Sequence, residues 1–195
     1  MISKKELIIA TGLSLALFTL NTPMMANADS TTATGQGDTK VTFTAPTTGS
    51  LVLNKVPSYD FSSHELASSY SGFTATGSQA YDVTDLTGGN TGYTITANAS
   101  TLKNGDNVLP VSTFTTTTAD GVADATTGGK ISGTSAAVNI YQTANTVATG
   151  NENSNGNLTS GTTGATMALA TANGVKAGTY SGTIDYNIST NLDQQ

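Results

Sequence analysis

Apolar and polar residues alternate with a period of two along much of this chain. No window after Ala28 sustains the 3.6-residue period of a helix. In Thr179–Ser189 the positions Tyr180, Gly182, Ile184, Tyr186 and Ile188 share one face, and the polar residues between them take the other. Tyr81 and Val83 pair in the same way, as do Tyr93, Ile95 and Ala97. The loop Thr87–Gly92 between those two runs holds three glycines and an asparagine, which predicts a hairpin over Tyr81–Ser100. Val41, Phe43 and Ala45 alternate with Thr42 and Thr44, predicting a half-buried strand over Lys40–Ala45. Further strands are expected at Leu51–Val56, within Ser68–Gly77, over Val108–Thr118, at Ala136–Tyr141 and in Ala165–Ala172. Pro110 inside the third of these runs marks an edge or a bulge. Thr, Val, Ile and Tyr fit a pleated surface, and Gly, Asn and Pro recur every ten residues or so between the runs. The fold class expected is all-β: a single β-sandwich of antiparallel strands.

The segments between strands differ in character. Asn104-Gly105-Asp106 is a turn, and Ala119–Ser132 reads as a loop. Ser58–Ala67 has no period, and its Tyr59 and Phe61 are expected to plug the core from a loop. Thr149–Gly164 carries four glycines and one large apolar residue, Leu158, which predicts a mobile loop.

The amino terminus changes the picture of where the protein works. Lys4 and Lys5 precede an apolar run, Leu7–Leu20, and Ala26-Asn27-Ala28 follows as a small-x-small site. Together these are the three regions of a secretory signal peptide, residues 1–28. The run is shorter than the about 20 residues of a membrane span, so no membrane insertion is expected after cleavage. Residues 29–39 (DSTTATGQGDT) have no large apolar side chain and form a flexible leader. Residues 40–195 then suit one domain.

All seven basic residues are lysines, against thirteen acids, for a net charge of −6; cleavage makes the mature chain one unit more acidic. With no basic footprint, nucleic acid is excluded as a partner. There is no cysteine. An exported domain of this size without disulfides fits a bacterial surface, a Gram-positive one above all, better than an animal secretion.

Little in the chain carries reaction chemistry. His64 is the single histidine and lies in a polar loop beside Glu65, with no one serine or aspartate singled out to join it. One histidine without cysteine makes a zinc site implausible, and the aspartates do not follow a calcium-loop spacing. Gly88-Gly89-Asn90-Thr91-Gly92 lacks the following helix and lysine of a phosphate loop. The expectation is a protein that is not an enzyme and uses no cofactor and no metal.

The recurrent feature is aromatic-x-aliphatic: Tyr93-Thr94-Ile95 in mid-chain and Tyr186-Asn187-Ile188 near the end. Tyrosine offers a large rigid face with a polar tip, suited to stacking on sugars or anchoring a protein. Alternation equally places these four residues in a sandwich core. Lys40–Phe61 (KVTFTAPTTGSLVLNKVPSYDF), Tyr81–Ser100 and Gly178–Ser189 occur in the order of the corresponding stretches of WxL-domain proteins of Gram-positive bacteria, which the chain resembles. It has no Trp, and both Trp-x-Leu motifs stand as Tyr-x-Ile.

The resemblance implies a secreted, cell-surface protein that attaches non-covalently to the cell wall, through peptidoglycan or a wall glycan, and to companion surface proteins of the same system. Tyr93, Ile95, Tyr186 and Ile188 are the ligand- or partner-binding residues it implies. The closing NISTNLDQQ carries no LPxTG-like signal, so retention on a cell is expected to depend on binding. The alternative is a self-assembling, pilin-like or fibril subunit that docks by strand exchange. Against the leader as donor stands its lack of alternating apolar residues.

Overall fold

A computed structural model describes residues 39–89 and 91–191. The expected signal peptide, and the leader apart from Thr39, lie outside those residues.

Thirteen strands make up the described chain, and no helix occurs among the described residues. They are β1 (Leu51–Lys55), β2 (Phe73–Thr76), β3 (Asp82–Asp85), β4 (Tyr93–Ala99), β5 (Lys103–Asn104), β6 (Asn107–Val108) and β7 (Val111–Thr118). After these come β8 (Ile131–Gly133), β9 (Val138–Asn139), β10 (Asn145–Gly150), β11 (Gly156–Thr159), β12 (Thr163–Leu169) and β13 (Ile184–Thr190). Every strand pairing is antiparallel, and the fold is the all-β sandwich expected.

Two four-stranded sheets carry the architecture, in the orders β13-β4-β10-β8 and β2-β12-β7-β9. A three-stranded sheet, β1-β3-β11, and the small β5-β6 hairpin complete it. The core follows the period-two pattern. Tyr93, Ile95, Ala97 and Ala99 of β4 are buried, while Thr94, Thr96 and Asn98 between them are not. Phe114 of β7 and Ala165 and Met167 of β12 face inward from the other sheet. The outward faces are hydroxyl and amide surfaces. Across β2, β12 and β7 the register aligns Thr74, Thr166 and Thr115. Across β13, β4 and β10 it aligns Ser189, Thr94 and Thr149.

Three expectations are corrected. Tyr81–Ser100 is not a hairpin: β3 pairs with β1 and β11, whereas β4 pairs with β13 and β10. The Gly-rich connection is long enough to change sheets instead of turning back within one. Gly92 makes that crossing possible: its φ is +70°, and a Cβ there would lie 2.2 Å from the Gly150 carbonyl oxygen.

Thr149–Gly164 is structured. It holds β11, which pairs with β3 so that Leu158 lies opposite Val83, and Ser154 and Ser160 within it are buried. The edge of β3 imposes this strand on residues with little strand preference of their own.

Lys40–Ala45 forms no strand; Val41 is 73% and Phe43 89% exposed. Alternation sets which side chains share a face, but only a hydrogen-bonded neighbour makes a strand, and no strand lies beside this one among the described residues.

Candidate functional site

The β4–β13 ladder brings the two Tyr-x-Ile motifs together. Ile188 lies opposite Ile95, Tyr186 opposite Ala97, and Thr190 opposite Tyr93. Adjacency does not make a shared surface patch. Tyr93 and Ile95 are wholly buried. The Tyr93 ring packs over Gly150 so closely that a Cβ on that glycine would sit 2.4 Å from it. Tyr186 and Ile188 are half-buried, because β13 is the outer strand of its sheet and β4 is an inner one.

Tyr186 is where the motif reaches a cavity. Its hydroxyl donates to the Pro57 carbonyl at 2.8 Å, and its ring meets Tyr81 edge-on, with centroids 5.7 Å apart. The ring and Ile184 form one wall of a cleft of about 1190 Å³ between the two large sheets. Phe114 and Met167 form its floor, and Phe61, Tyr70 and Tyr180 stand around it. Drug-sized sites occupy about 300–1,000 Å³, so this cleft is large enough for a stretch of polymer.

The cleft is built by the segment after β1 and the segment before β13. Val56–Phe61 carries aromatic side chains inward. Tyr59 and Phe61 both contact Phe114 edge-on, at 6.1 and 5.4 Å between centroids. The expected plugging of the core by these two residues is what the structure shows. Tyr70 lies 5.4 Å from Phe73. On the far side, the Tyr180 hydroxyl accepts a hydrogen bond from the Lys176 amide at 3.0 Å, which fixes the loop before β13. Asp60, Glu65 and Lys176 supply the charges of the lining, two negative and one positive.

Burial holds the phenols of Tyr59, Tyr81, Tyr93 and Tyr186 above their ordinary 10.0. At Tyr93 the negative charge of Asp85 adds to the effect. All four stay protonated and can donate at any physiological pH. The Tyr59 and Tyr81 hydroxyls are buried with no hydrogen-bond partner among the described residues.

His64 is exposed on the rim. Its Nε2 donates to the Phe61 carbonyl at 2.7 Å, and its ring lies tilted against Phe73, with centroids 4.5 Å apart. These contacts shape the loop. Asp120 binds Lys130 at 2.9 Å and the Gly133 amide, and Asp124 caps the amides of Thr126 and Thr127. Both are turn-forming carboxylates. No cluster of three metal-ligating side chains occurs among the described residues.

Of the cleft residues, the sequence marks only Tyr186 as a binding residue; it places Tyr59 and Phe61 as core plugs and Tyr180 as a strand position. Its signal lay in SYDF and in GTYSGTIDY, two aromatic-rich stretches far apart in the chain. Set beside known proteins, the chain matches no family model, no curated protein and no solved structure.

Proposed function

We propose that this is an exported bacterial surface protein, without catalytic activity, that attaches non-covalently to the cell wall through its inter-sheet cleft. Its ligand is a stretch of peptidoglycan or wall glycan, or an exposed segment of a companion wall-bound protein. The observation that carries the reading is the cleft itself, with Tyr180 and Tyr186 half-exposed on one side of it. Amphipathic aromatic faces with hydroxyl tips suit the alternating apolar and hydroxyl surfaces of a sugar chain. The outward threonine and serine rows, nearly free of charge, suit a protein working among neutral glycans. The WxL resemblance points the same way.

The site differs from the one the motif alone suggests. Tyr186 belongs to it, Ile188 supports it from the ladder, and Tyr93 and Ile95 hold the strand from within. The test is retention of purified protein on isolated, protein-free walls. Tyr180→Ala and Tyr186→Ala should each weaken retention by about thirtyfold if they are anchors, as hot-spot aromatics do. Retention equal to the parent's in both folded variants would refute the cleft as the attachment site.

A further inference from the structure

The corrected segment Lys40–Ala45 has a sequence fit for pairing and no strand beside it among the described residues. Val41, Phe43 and Ala45 alternate with threonines, and Phe43 is 89% exposed. Exposure of a large aromatic in a period-two run is what a donor strand shows before it finds its acceptor.

An acceptor of matching length exists. β13 spans Ile184–Thr190 at the edge of its sheet, paired with β4 on one side and hydrogen-bonded to no strand on the other among the described residues. Ile184 and Tyr186 turn toward the cleft from that strand. Six residues of added strand run for about 20 Å, which covers most of β13. Charge agrees. The only charged residue of the segment is Lys40, and the cleft lining carries Asp60 and Glu65 against one lysine, Lys176. The chain's own copy of the segment does not fill the cleft, since Phe43 stands in solvent.

We propose that Lys40–Ala45 of one copy adds to the outer edge of β13 in a second copy. Val41 and Phe43 then enter the cleft, and Lys40 meets its acidic rim. Donor and acceptor are different surfaces, so the contact is head-to-tail and builds open chains, not closed dimers. The inference goes beyond wall attachment and does not rest on it. Because both occupants use one cleft, assembly and wall binding compete.

The test uses the purified processed protein in sedimentation across a wide range of concentration. The parent should form concentration-dependent chains. Phe43→Asp should raise the dissociation constant about tenfold or more, with an unchanged melting temperature because Phe43 packs on nothing in the single copy. A photoreactive phenylalanine at position 43, in a mixture of isotope-labelled and unlabelled copies, should give mixed-mass products joined within 56–66 or 175–186. A parent that stays monomeric at every concentration would overturn the proposal. So would crosslinks confined to single copies, or association of Phe43→Asp equal to the parent's.

Discussion

Replacing Tyr93 separates a residue that holds the fold from one that touches a ligand. Its side chain is wholly buried, and its ring rests on Gly150, where no larger residue would fit. Deleting a buried aromatic to alanine costs about 3–5 kcal/mol, because the cavity collapses only in part. For a domain of this size each kcal/mol moves the melting temperature by about 2–4 °C, so Tyr93→Ala should melt about 6–20 °C below the parent. The hydroxyl contributes differently. It is buried without a hydrogen-bond partner among the described residues, and an unpaired buried polar group costs about 1–3 kcal/mol. Tyr93→Phe should therefore match or exceed the parent in stability, and should hold to isolated walls as the parent does. Tyr93→Trp should lose about 1–3 kcal/mol from overpacking against Gly150. Urea and thermal unfolding followed by circular dichroism give all three values. A Tyr93→Phe variant less stable than the parent by more than about 1 kcal/mol would show that the hydroxyl is satisfied. A Tyr93→Ala variant melting with the parent would show that the ring is not core.

Other perturbations test other parts of the fold. Gly92→Ala should cost more than Gly88→Ala by thermal unfolding: both glycines have positive φ, worth about 1–2 kcal/mol against a side chain, but only at Gly92 does a Cβ strike backbone. A short Gly/Ser insertion after Asn155 should lower the melting temperature, since the Asn155 side chain donates to the Gly89 carbonyl and β11 follows at once. Asp120 and Asp124 titrate below their ordinary 3.8, Asp120 chiefly through Lys130 and Asp124 chiefly through the Thr127 amide. The stability they lend is intact above pH 3.8 and is lost as the pH falls below it, which Asp124→Asn should blunt in acid unfolding curves. The four buried phenols are raised, so their contribution is complete below pH 10 and lost as the pH climbs past it. The share of tyrosinate absorbance that these four contribute should therefore rise together with loss of β structure, and not before it.

Strands with a long, unbroken alternation are the legible ones. β4 and β13 read plainly because each alternates over seven residues, and their opposition brought the two Tyr-x-Ile motifs into register. Lys40–Ala45 alternates just as cleanly and is no strand, since pattern says nothing of a partner. β11 shows the converse: GNLT has almost no pattern and becomes a strand because β3 offers it an edge. The crossing between β3 and β4 was hidden because a Gly-rich loop permits a hairpin and a change of sheet alike. The cleft was illegible for a different reason. Its walls come from residues more than a hundred positions apart, such as Phe61 and Tyr180, and only packing says that a space remains between them.

The loop before β13 gives the cleft a reporter of its own. With no arginine in the chain, a trypsin-like protease can cut only after lysine. Lys130 is tied to Asp120, Lys103 lies in the β5–β6 hairpin, Lys55 ends β1 beside Asp82, and a cut after Lys40 falls ahead of the first strand. Lys176, exposed on a loop at the cleft wall, is the natural internal cleavage point, and its amide is the group that holds Tyr180. Anything seated in the cleft shields that bond from the protease and tightens the loop around it. The rate of the cut after Lys176, read from its own fragments, would thus measure occupancy without any label on the ligand.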